Sequence, residues 1–230
     1  MSAPGEQGQL LSHIKDSFTS IYLTVLSIVQ GVALTSLAVV VADGYSEFTP
    51  VQWGLVLLTF LILIIVWNHV TTDAMTWTWI PDFRDSAIPF LLGAFELFQA
   101  FAIVAGLGPW LFGMAAGATL AVLEFFHVGR QVRLGTPSAE MLRLFRRRSL
   151  SDLLQGIVGI GLFLALGAAS VTIGDASAVL SWIAVLITAL WLGAYVLRTT
   201  LYWRALVALA HSGRLPSGTA LSRLVGLPLR

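Results

Sequence analysis

Glu124 and His127 stand three residues apart in one apolar run, and His69 and Asp73 stand four apart at the end of another. On a helix either spacing puts both side chains on one face, so each pair can meet at a point. Carboxylates and imidazoles inside a membrane can relay protons or pass cations, and ionisable groups are costly enough there to mark a site. Glu96 lies about ten residues into its own run, near mid-bilayer at 1.5 Å per residue. A glutamate cannot reach water from that depth, so it must be neutral, paired or facing a wet cavity. Gln99 is close to Glu96, Asn68 precedes His69, and Gln30 lies in the first run. With these faces turned inward, Glu96, Glu124, His127, His69 and Asp73 form a line from mid-membrane to one surface.

Metal chemistry is a lesser candidate. Glu124-x-x-His127 matches half of a di-metal element in helical bundles, but that site needs a second copy and two further carboxylates. Glu124, His127 and His69 are the weak metal candidates, and His69 with His127 could hold one haem axially. No cofactor is otherwise called for. Cysteine is absent, so thiolate catalysis and cysteine metal sites are excluded. G-x-S-x-G and Walker-type loops are absent as well.

The elements that must position these groups are membrane helices. The 230 residues are 57% hydrophobic and 11% charged, against about 25% charged in soluble domains. Six segments reach the roughly 20 residues of a bilayer crossing: about Phe18–Ala42, Val51–Thr71, Ser86–Leu107, Pro109–His127, Leu153–Ile173 and Val179–Tyr202. Gly106-Leu107-Gly108-Pro109 reads as a tight turn between the third and fourth. The first run follows a polar stretch and is too long for the apolar part of a signal peptide, so it is expected to be a retained span.

The basic residues orient the bundle. Lys15, Arg84, the arginines from Arg130 to Arg148, and those from Arg198 to Arg230 all fall on one side of six spans. The opposite loops hold only Asp43, Glu47 and Asp175. By the positive-inside rule, both termini are cytoplasmic, and the chain is expected in the plasma or inner membrane.

The expected organisation is therefore all-α. Residues 1–17 form a cytoplasmic N-terminus, 18–127 carry spans one to four with the ionisable cluster, and 128–152 form a basic cytoplasmic loop. Residues 153–203 form a hairpin of spans five and six, and 204–230 form a basic tail. In the loop, Met141, Leu142 and Phe145 share a helical face beside Arg143, Arg146, Arg147 and Arg148. Such a helix suits anionic headgroups; an ordinary charged loop is the alternative. Ser149-Leu150-Ser151-Asp152 resembles a capping box opening span five. Trp67, Trp77 and Trp79 suit the membrane interface.

Small residues mark packing faces. Ser20, Thr24, Ser27, Gly31 and Thr35 make one stripe on span one, read as a packing face or the polar wall of a cavity. Gly113 and Gly117 make a GxxxG match on span four, and Gly156, Gly159 and Gly167 smooth span five. The apolar hairpin of spans five and six reads as scaffold or as a contact in a homo-oligomer.

Trp67-Asn68-His69 is similar to a Trp-x-His element closing span two in bacterial relatives of the lysosomal potassium channel. That family's hallmark is Arg followed shortly by Phe-Ser-Asp at the start of span one. Lys15-Asp16-Ser17-Phe18-Thr19-Ser20 stands here instead, so the chain is not assigned to it.

The reading that follows is a six-span pathway for a proton or small cation. A non-catalytic membrane scaffold or assembly subunit is the alternative, and a metal or haem redox enzyme comes third. A formal net charge of +1 argues against a nucleic-acid partner.

Overall fold

A computed structural model of the chain describes residues 4–76, 83–134, 138–173 and 178–212, and for 4–16, 84, 131, 133, 134 and 212 the backbone alone. These residues form six helices: α1 Pro4–Gly44, α2 Pro50–Thr76, α3 Phe83–Ala105, α4 Leu107–Leu134, α5 Ala139–Ile173 and α6 Ala178–Ser212. All six are long and apolar enough to cross a membrane. Trp77, Trp79, Asp175 and the tail beyond Ser212 lie outside the described residues.

Local chemistry sets several helix ends. Thr49 and Gln52 form a capping box at the start of α2: Gln52 N–H donates to Thr49 Oγ1 (3.3 Å), and Thr49 N–H donates to Gln52 Oε1 (2.9 Å). Pro50 follows the cap, where a missing N–H is harmless. Between α3 and α4 a single residue, Gly106, turns the chain with φ of 107°, a conformation glycine adopts without strain. The tight turn expected there is thus shorter than the four residues proposed for it.

The helices close into a ring. α1 rests on α2 and α3, α3 on α4, α4 along α5, α5 on α6, and α6 returns to α2. At the end where α3 meets α4, an apolar core fills the interior. Leu55, Ile103, Trp110, Leu111 and Phe163 are almost wholly buried there. Trp110 Nε1 donates to Thr59 Oγ1 across 2.9 Å, which satisfies the core's indole. Outward faces are apolar too, with Ile28, Leu57, Leu123, Val158 and Leu186 exposed, as helices facing lipid would be.

The opposite end, where the arginines lie, departs from expectation. Among the described residues of 128–152, all but Ser138 are helical. α4 continues to Leu134, and α5 starts at Ala139 and runs unbroken into its span. The cap of α5 is Ser138, whose Oγ accepts from Met141 N–H at 3.2 Å; Ser149–Asp152 is helix interior. The apolar face of the Met141–Phe145 segment packs within the chain. Phe145 is buried against Val128 and Val132 of α4, and Leu144 against Tyr202, Ala205 and Leu209 of α6. Hydropathy ended these spans at the first charges, but several of those charges are paired inside the bundle.

Three glycines of α5 serve contacts within the chain. A Cβ at Gly156 would stand 2.6 Å from Val122 of α4, and one at Gly159 would stand 2.7 Å from Trp191 of α6. One at Gly167 would press on Phe112 of α4 at 3.0 Å. Gly113 faces Gln99 and Phe98 of α3, and Gly117 faces Phe95. The α1 stripe behaves otherwise. Ser20, Thr24, Ser27, Gly31 and Thr35 are exposed, and the Thr24, Ser27 and Thr35 hydroxyls donate to carbonyls four residues back. It is neither a packing face nor a cavity wall within this chain.

Candidate functional site

α5 delivers the centre of the site. Arg148, one turn before Asp152, sits at 7% exposure among four helices. Its Nη1 pairs with Asp73 of α2, and its Nε donates to Asp152 Oδ2 at 3.2 Å. The guanidinium plane lies 4.4 Å over the Tyr202 ring of α6, a favourable stacking for a cation. Arg198 of α6 pairs with the other oxygen of Asp152 and donates to Ser151 O and Oγ at 3.1 and 3.0 Å. Two guanidiniums thus face two carboxylates. Such pairing is what allows charges this deep in a bundle, since an unpaired one would cost several kcal/mol.

His69 of α2 is joined to this cage. Its Nδ1 lies 2.6 Å from Arg148 Nη2 and 2.7 Å from the Tyr195 hydroxyl. An arginine only donates, so Nδ1 must accept, and the ring proton of neutral His69 sits on Nε2. That nitrogen faces Asp73 Oδ2 at 3.4 Å and Glu124 Oε2 of α4 at 3.9 Å. The Phe125 ring meets the imidazole edge-on, with centroids 5.4 Å apart. Glu124 is the remaining acid, and the charges of the cage balance without it.

Glu124 also opens outward. With His127 and Arg130 it lines a groove of about 440 Å³ between α3 and α4, whose other walls include Leu91, Leu120 and Phe126. His127 Nε2 lies 2.7 Å from Asp85 Oδ1 at the start of α3. Asp85 and His127 are thus paired one helical turn from Glu124, and Glu124 Oε2 stands 3.9 Å from His69 Nε2.

The other expected residues separate. Glu96 is fully buried, and Gln30 Nε2 donates to its Oε1 at 2.6 Å; its Oε2 has no hydrogen-bond partner among the described residues. Among those residues no hydrogen bond links Glu96 to Glu124 or His127. Gln99 is buried against the start of α4, where its amide can donate to Trp110 O (3.1 Å) and accept from Met114 N–H (3.3 Å). Asn68 faces out into a groove between α2 and α6. So His69, Asp73 and Glu124 come together, His127 adjoins them, and Glu96 with Gln30 forms a second polar spot. The described residues hold no group of three His, Asp or Glu placed to bind a metal ion.

Sequence reasoning missed the residues that organise the site. Arg148 was expected at the headgroups with Arg143, Arg146 and Arg147; it is buried, whereas Arg143 and Arg146 are exposed. Helices α5 and α6, whose span portions were read as scaffold, supply Arg148 and Asp152 from before span five, and Tyr195 and Arg198. Two signals were present: Arg148 and Asp152 at i,i+4, and Tyr195, Arg198 and Tyr202 on one helical face. Asp85, near a span end, has no comparable signal.

No protein-family model, curated protein or solved structure matches the chain.

Proposed function

We propose that this chain is a proton-handling membrane protein, best described as a proton-linked transporter, with Glu124 as the group that takes up and releases the proton. The observation that carries the reading is the position of Glu124: buried in the bundle, 3.9 Å from His69 Nε2, and bordering the groove that leads to the basic end. The neighbouring charges are fixed. Arg148 and Arg198 balance Asp73 and Asp152, so a proton at Glu124 moves the site between one excess negative charge and none. His69 is held by Arg148 and Tyr195, and its Nε2, which has no hydrogen-bond partner among the described residues, lies 3.4 Å from Asp73 Oδ2 and 3.9 Å from Glu124 Oε2. Asp85 and His127 extend the relay toward the basic end, which the positive-inside rule makes cytoplasmic.

A proton suits the site better than a metal cation. Two guanidiniums stand among the carboxylates and repel a cation, and a proton needs no coordination shell. The packed layer of Leu55, Ile103, Trp110, Leu111 and Phe163 favours alternating access over a standing pore.

The same layer also favours a second reading, a static scaffold whose charges only fix helix packing. Proteoliposomes separate the two. Under a potassium-diffusion potential, the purified chain should acidify or alkalinise the lumen as read by a trapped pH dye, and Glu124→Gln should abolish that flux while the protein stays folded. Absence of any proton flux or proton exchange in the unmutated protein would leave the scaffold.

A further inference from the structure

A third recess lies at the basic end, between the close of α4 and the opening of α5. It encloses about 510 Å³, a size that suits a small ligand or part of a larger one. Its polar rim is Arg130, Arg146 and Ser149, and its walls include Phe126, Leu150 and Leu153. Neither Arg130 nor Arg146 takes part in an ion pair among the described residues. Both are exposed, and Phe126 and Leu150 are exposed beside them at 63% and 50%. Arg148 and Arg198, by contrast, are each matched with a carboxylate.

Depth places this recess at a membrane surface. Arg130 follows Leu107, the first residue of α4, by roughly 35 Å at 1.5 Å per residue, just past the ~30 Å hydrocarbon core. Below it the apolar walls continue into the lipid-facing side of α4 and α5. Two cations and a hydroxyl at headgroup level, above an apolar slot, are complementary to one class of molecule.

We infer that the α4–α5 cleft binds one anionic phospholipid, its phosphate held by Arg130, Arg146 and Ser149 and an acyl chain lying along Phe126, Leu150 and Leu153. Arginine forks match phosphate oxygens in pairs. The occupant is a lipid rather than a free phosphate because most of the cleft's lining is apolar, and Phe126 and Leu150 are exposed on its outer side. The site is distinct from the Arg148 cage: Phe125 stands between them, lining the cleft and packing on His69. The inference does not rest on proton transport.

Native mass spectrometry of the full chain, released from nanodiscs of mixed phosphatidylglycerol and phosphatidylcholine, tests it. The unmutated chain should retain one phosphatidylglycerol in preference to phosphatidylcholine. Arg130→Gln with Arg146→Gln should lower that preference by roughly tenfold or more, the size expected for two basic groups at an anionic surface. Arg143→Gln with Arg147→Gln, outside the cleft, should leave it intact. Leu150→Trp, which fills the slot and keeps both arginines, should also expel the lipid, so the inference stays testable if the arginine variant fails to fold. Equal retention by the Arg130/Arg146 variant, or an equal loss in the Arg143/Arg147 variant, overturns a discrete site. Displacement of the lipid by soluble glycerol phosphate at matched concentration would assign the cleft to free phosphates instead.

Discussion

Arg148 and His69, 79 residues apart in the chain, meet at 2.6 Å between Nη2 and Nδ1. This contact fixes which imidazole nitrogen carries the proton and ties α5 to α2. Everything proposed for Glu124 depends on it, because the opposite tautomer would turn a bare lone pair toward the acids.

The cage should therefore be intolerant of single charge deletions. Arg148→Ala leaves Asp73 and Asp152 short of a partner, and removing one member of a buried pair costs about 3–5 kcal/mol. Arg148→Lys should rescue poorly, since a lysine is a point charge and cannot fork to Asp73, Asp152 and His69 together. Thermal unfolding in detergent, followed by size-exclusion chromatography, reads both; a midpoint unchanged in Arg148→Ala would remove the cage from the account.

Tight packing at Gly159 gives a second test. A side chain there meets the Trp191 ring, so Gly159→Leu should destabilise the monomer fold by about 1–3 kcal/mol, as overpacking does. Folding yield should fall while the oligomeric state of the surviving protein stays the same. A clean change of oligomeric state with undiminished yield would instead place the contact between subunits.

Thr59 and Trp110 test the apolar half. Thr59→Val keeps shape but deletes the acceptor of the indole N–H, leaving a buried donor unsatisfied at about 1–3 kcal/mol. A loss of that size in thermal stability is expected. A neutral result would mean that the indole is satisfied another way.

Much of the fold was legible before the structure. Long apolar runs reveal membrane helices because lipid leaves few alternatives for a backbone, and the six runs correspond to the six helices. The helix ends at the basic side were not legible. Arg148, Asp152 and Arg198 look like the close of a span when each charge is read alone, and only tertiary pairing makes them interior. The same reasoning put Arg148 at the headgroups, whereas it is buried; Arg143 and Arg146 are exposed. Spacing brought His69 and Asp73 together, and Glu124 and His127 onto one face. It could not say that His127 turns to Asp85, or that Glu96 pairs with Gln30 from another helix. The α1 stripe shows a further limit: Thr24, Ser27 and Thr35 satisfy their hydroxyls on their own backbone, so a polar face need not point inward.

Orientation can be checked directly. Cysteine introduced at Ser46, an exposed residue between α1 and α2, should react with an impermeant maleimide added to intact cells. Cysteine at Ser138, exposed at the basic end, should react only after the membrane is opened. Labelling in the reverse order would turn the proton path to the other side.

The most direct test is infrared difference spectroscopy of the reconstituted protein on a step in pH. A buried glutamate that exchanges protons shows a carboxylic-acid C=O stretch that appears on acidification and vanishes on return. The account predicts such a band in the unmutated chain, its loss in Glu124→Gln, and its persistence in Glu96→Gln. A band that survives Glu124→Gln unchanged, or no exchangeable carboxylic acid at any pH at which the protein stays folded, would contradict it.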